Sequence, residues 1–219
     1  MGSNTPRAIT IRHDNPHKDH GTVVVLGTPR GGTSVVAGIC HMLGAEMGVD
    51  IDPSNMEDRE FHRILTGEGS ISEMPELLRK LHTKRSLAGL KNPIAIDRLH
   101  EFLPYVAEAV FVVVLRDAFA VAQREQQGGQ EFDGAVRRAL LRQSAIFDFA
   151  ESVHLPICFL SYERLLMDPL SAVAGLANFL LSHVDDVLVK AASELVLPHA
   201  DMPREVDFVA ARRELDLAS

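Results

Sequence analysis

Four short apolar runs without polar alternation punctuate the chain: residues 22–26 (TVVVL), 88–91 (AGLK), 109–115 (AVFVVVL) and 156–160 (PICFL). Successive apolar positions predict strands covered on both faces, as in a parallel sheet. Between these runs, apolar residues recur at helical spacing. Val35, Val36, Ile39, Cys40 and Leu43 make one stripe, with Gly44 placed to end the helix. Residues 55–65 begin polar and become periodic, and residues 75–82, 96–106 and 118–126 predict further helices. Gly128-Gly129 break the chain before a helix over residues 135–150, whose apolar face would be Val136, Leu140, Phe147 and Ala150. Asp168-Pro169 supplies a cap and a first-turn proline for a helix reaching Leu181, and another helix is predicted over residues 184–195. Strands alternating with helices predict a three-layer α/β fold with a central parallel sheet flanked by helices. With no internal repeat, residues 21–219 read as one domain and the polar residues 1–20 as a flexible lead-in.

Ligands of such sheets bind beyond the C-terminal ends of the strands. Two polar clusters fall there: residues 27–34 (GTPRGGTS) after the first run, and Arg116-Asp117 after the strongest one. Residues 27–34 fit G-x-x-x-x-G-x-S and make the expected fold P-loop-like, but Thr33 stands where a nucleotide triphosphatase has lysine. The loop keeps its capacity to hold an anion. Gly31 and Gly32 admit close approach, the N–H groups of Gly32, Thr33 and Ser34 open a helix, and Thr33 and Ser34 add hydroxyls. Arg30 is the cation inside the loop.

The formal net charge of −8 argues against general nucleic-acid binding. It leaves room for a small anionic ligand, which needs only a local cluster of arginines. The two cysteines, Cys40 and Cys158, sit in a helix-like and a strand-like run and read as reduced core thiols. No run is long enough to span a membrane, and the lead-in has no apolar signal segment, so the expected location is the cytoplasm. His13, His17 and His20 are irregularly spaced within the lead-in, and no metal site is assigned.

Residues 28–34 (TPRGGTS) resemble the 5′-phosphosulfate loop of sulfotransferases that use 3′-phosphoadenosine 5′-phosphosulfate (PAPS), where a Lys or Arg occupies the position of Arg30. VFVVVLRD followed by a helix resembles the 3′-phosphate motif of that family, with Arg116 on the motif arginine; Arg124 stands where the family has serine. FLSYERLLMDP (residues 159–169) resembles the segment whose tyrosine, here Tyr162, lies near the adenine. MEDREF (56–61) and LKNP (90–93) resemble segments of bacterial and carbohydrate-type members. The order of these motifs over roughly residues 22–182 carries the resemblance.

The resemblance implies sulfuryl transfer from PAPS to a hydroxyl or amine of a small-molecule or carbohydrate acceptor, leaving adenosine 3′,5′-bisphosphate (PAP). Arg30, Gly31, Gly32, Thr33 and Ser34 would hold the 5′-phosphosulfate. Arg116 and Arg124 would meet the 3′-phosphate, and Tyr162 the adenine. Lys91 would contact donor or acceptor. Arg30 would stabilise charge on the leaving phosphate, since positioning and charge stabilisation dominate the related phosphoryl transfers. Glu57 is the first candidate for the base that takes the acceptor proton, with Asp58 and His62 in reserve; Glu57, Asp58 and Glu60 would equally suit the acidic first turn of a helix. Asp117 would either cap the next helix or orient Arg116. Arg204, Arg212 and Arg213 are candidates for closing the 3′-phosphate site. Two other readings stay open: a P-loop kinase or nucleotidase, with Asp117 as its metal-holding acid, and a non-catalytic protein that binds a nucleotide or a partner.

Overall fold

The computed structural model describes residues 8–196 and 206–218. In chain order the elements are β1 (Ile9–His13), β2 (Gly21–Gly27), α1 (Thr33–Met42), β3 (Ile51–Asp52), β4 (Glu57–Asp58), α2 (Arg59–Thr66), α3 (Met74–Lys84), β5 (Leu87–Lys91), α4 (Leu99–Phe102), β6 (Ala109–Leu115), α5 (Ala118–Gln127), α6 (Phe132–Ser152), β7 (Ile157–Ser161), α7 (Tyr162–Met167), α8 (Pro169–Leu180), α9 (Asp186–Glu194) and α10 (Phe208–Ala218). The main sheet has the order β1-β7-β6-β2-β5, and β7, β6, β2 and β5 run parallel.

Unbroken apolar runs follow from burial on both faces. Val23 and Val25 of β2, with Val110, Val112 and Val114 of β6, face one core shared with α1, α8, α9 and α10. Val24, Leu26, Phe111 and Val113 face a second core with α2, α3, α4 and α6. Alternate residues of β2 and β6 thus fill opposite layers, and neither strand has a polar face. Cys40 and Cys158 are buried free thiols, and desolvation pushes the Cys158 thiol up to about 12.

Three expectations need correction. The lead-in is not wholly irregular: Ile9–His13 forms β1, antiparallel to β7, and covers what would otherwise be an open sheet edge. On α6 the buried residues are Ala135, Ala139, Ile146 and Ala150, while Leu140 and Phe147 are exposed. Ala139 packs against Ala118 and Val121 of α5, and Ile146 and Ala150 join the core beneath the sheet, while Phe147 stacks on Phe159 at 5.3 Å. The helix expected over residues 96–106 is a short α4 between two 3₁₀ turns, the second containing Pro104. No helix among the described residues is long and apolar enough to cross a membrane.

Candidate active site

Four adjacent parallel strands end at one cleft. The loop after β2 leads into α1, β5 ends on Lys91, β6 is followed by Arg116, and β7 by Tyr162. These residues line a cavity of about 440 Å³ together with Arg30, Ser34, Glu57 and Arg124. Gly32 and Thr33 line it as well, and Gly31 forms the turn just before them.

The loop begins as a tight turn, with the Gly31 N–H donating to Thr28 O at 2.9 Å. Pro29 occupies its second position, and Arg30 its third with φ +59, the left-handed conformation that a type II turn places there. The Arg30 side chain is exposed at the cleft. Gly32 caps α1 with φ +89, and a Cβ there would run into the Tyr162 ring. Gly32, Thr33 and Ser34, at the start of α1, line the cleft, where a helix leaves backbone N–H groups without intrahelical partners.

Arg116 is half-buried against this loop. Its Nη1 donates to Arg30 O at 2.7 Å, and its guanidinium lies 4.9 Å from the Tyr162 ring centroid. Its buried Nε has no hydrogen-bond partner among the described residues. Burial draws the Arg116 pKa below the usual arginine value, and the positive charge of Arg124 adds to this, while Tyr162 and Glu163 oppose it. Tyr162 thus touches the loop glycine and Arg116. Burial, its largest influence, raises the Tyr162 pKa.

Glu57 reaches the cleft from the β3–β4 hairpin. Its Oε1 accepts from Lys91 Nζ at 2.8 Å, and its Oε2 from Asn92 Nδ2 at 3.1 Å. Lys91 is almost wholly buried and also donates to Asn55 O at 3.0 Å and Ser34 Oγ at 3.2 Å. Burial lowers the Lys91 pKa, and Glu57 pulls against that shift. His62 Nδ1 lies 3.0 Å from Asn92 Nδ2 and 3.5 Å from Glu57 Oε2.

The alternatives left open earlier separate here. Glu57 lies in β4, before the helix, so it is not part of an acidic first turn. Asp58 is fully buried and accepts from the N–H groups of Val49, Asp50 and Phe61; it caps α2 and joins the hairpin, with no access to the cleft. Asp117 caps α5, accepting from Ala120 N–H at 2.9 Å. Arg212 and Arg213 lie away from the cleft, on α10 beside a second cavity of about 480 Å³ at the other end of α1. There Arg212 Nη1 donates to Met42 O at 2.5 Å, satisfying a helix-end carbonyl. Arg204 lies outside the described residues. The sequence reading passed over Asn92, which clamps Glu57 and approaches His62; its only signal was its place beside Lys91 in LKNP.

No family model matches the chain, and no curated protein matches it in sequence. Its fold is similar to that of sulfotransferase STF9 from Mycobacterium avium (TM-score 0.52, 13% identity, covering 81% of this chain and 68% of that one). It also aligns with the sulfotransferase domain of the Synechococcus olefin synthase (TM-score 0.49, 15% identity, 94% and 98% covered). The sulfotransferase domain from the curacin biosynthetic pathway aligns at TM-score 0.48 and 12% identity, with 91% and 99% covered. The chain has the sulfotransferase fold.

Proposed function

We propose that the chain transfers a sulfuryl group from PAPS to a hydroxyl or amine of a small-molecule or carbohydrate acceptor. The observation that carries this reading is the charge of the cleft. Arg30, Lys91, Arg116 and Arg124 line it against one carboxylate, Glu57, in a chain whose net charge is −8. The carboxylate is already paired with Lys91. Three arginines therefore face the cavity, and a polyanion would supply acceptors for their guanidinium groups.

PAPS supplies an electrophilic sulfur and a phosphate leaving group. Arg30 and the first-turn N–H groups of α1 would hold the 5′-phosphosulfate and take up charge as the sulfur–oxygen bond to phosphate breaks. Arg116 and Arg124 would hold the 3′-phosphate. The acceptor oxygen or nitrogen forms the new bond to sulfur and gives its proton to Glu57, which Lys91 and Asn92 hold in place.

ATP–Mg²⁺ chemistry fits less well. In a P-loop nucleotidase the hydroxyl at the Ser34 position faces Mg²⁺. Here that hydroxyl accepts from the Lys91 ammonium, so a metal ion would meet a like charge.

Glu57→Gln tests the proposed role of the carboxylate. Turnover of labelled PAPS with a panel of acceptors should fall by about a hundredfold or more, while calorimetric PAP affinity is retained. Near-normal turnover would move the base role to His62, whose ring touches the same network.

A further inference from the structure

Away from the cleft, the turn between β1 and β2 carries two histidines, and the loop entering β6 brings a carboxylate to them. We propose that His17, His20 and Glu108 form a binding site for a divalent transition-metal ion of the zinc type. One ligand atom from each of the three lies within 4.8 Å of the others. His17 Nδ1 is 3.7 Å from Glu108 Oε1, and the two imidazoles meet edge-on with centroids 6.2 Å apart. Ligands about 2.0–2.2 Å from one tetrahedral zinc lie roughly 3.3–3.6 Å apart. Small side-chain rotations would close the set without moving the backbone.

The backbone is already fixed on both sides. His20 N–H donates to His17 O at 3.3 Å and closes the turn. His17 N–H donates to Asn15 Oδ1 at 2.9 Å, and the buried Asn15 side chain donates in turn to Phe179 O at 3.1 Å. Asp19 N–H donates to Leu180 O at 2.9 Å, and its carboxylate accepts from Ser182. The histidine turn is thereby anchored to the C-terminal end of α8. Glu108 has φ +48, a conformation few residues other than glycine adopt. Its carbonyl accepts from Thr22 N–H at 3.3 Å, two positions after His20, so the two halves of the site are tied through the backbone.

Two imidazoles and a carboxylate suit zinc, nickel or copper better than magnesium or calcium. The neighbouring cation, Lys18, donates to Asn178 O at 2.8 Å instead of facing the carboxylate. With three protein ligands, a fourth position is left for water. A bound ion would clip the segment carrying β1 to the entrance of β6 and so hold the edge strand on the sheet.

The test is a titration of the full chain with zinc chloride against a competing chromophoric chelator, above about pH 7 where free imidazoles are neutral. One equivalent should bind and raise the melting temperature, with magnesium chloride having no such effect. His17→Ala and His20→Ala should each weaken uptake by more than the roughly tenfold that loss of a supporting contact costs. Glu108→Gln, approached from the other side of the site, should weaken it as well. His100→Ala, on the exposed side of α4, should bind as the parent does, and PAP affinity should be the same in all four variants. Absence of zinc uptake, or uptake unchanged in the His17→Ala/His20→Ala double variant, would overturn the proposal.

Discussion

Lys91 is a buried cation whose ammonium meets three oxygens, from Glu57, Asn55 and Ser34. Removing one partner of such a pair leaves the other charge in a poorly hydrated place. Lys91→Met should therefore cost roughly 3–5 kcal/mol in urea unfolding, and adding Glu57→Gln should restore much of that loss. A cost near zero for the single variant would show that the pair is not a buried ion pair in solution. At this scale the sequence was informative wherever a side chain brought its own chemistry to a motif. Arg30, Arg116, Arg124 and Tyr162 were found that way, and the fold gathers them in one cleft. Asp58 and Glu57 could not be told apart, because they are neighbours of the same charge. Two-residue strand pairing between Ile51–Asp52 and Glu57–Asp58 turns one carboxylate inward to three N–H groups and the other toward Lys91. Nothing in the composition of MEDREF announces that hairpin.

Among the elements, α1 does most to define the site, and its N-terminus depends on Gly32. The positive φ and the Tyr162 ring both exclude a side chain there. Gly32→Ala should destabilise the fold by about 1–3 kcal/mol. It should also weaken PAP binding by about tenfold or more, because the ring beneath the loop also supports Arg116. Calorimetry on the purified variant reads both the loss and its size; parent-like affinity would mean that the loop does not contact the nucleotide. The parallel strands were legible because burial on both faces leaves continuous apolar runs. The edge strand β1 was not. ITIRH has a half-exposed pattern among polar neighbours, and its partner β7 follows far along the chain. The face of α6 was misread because the residues that pack closely are alanines, which carry little weight in a periodicity of large apolar groups.

Over the whole molecule, charge is distributed against its own average. A chain of net charge −8 gathers three arginines and a lysine around a helix N-terminus at the ends of four parallel strands. The fold is that of sulfotransferases, and the cleft presents the side chains of Arg30, Lys91, Arg116 and Arg124. It also holds an ammonium against the hydroxyl that a magnesium nucleotide would need. Calorimetric titration of PAP and of ATP–Mg²⁺ into the same protein tests this most directly. The account predicts that PAP binds with one site per chain, that ATP–Mg²⁺ binds far more weakly, and that Arg116→Ala removes most of the PAP affinity. Tighter binding of ATP–Mg²⁺, or no binding of either nucleotide, would contradict it.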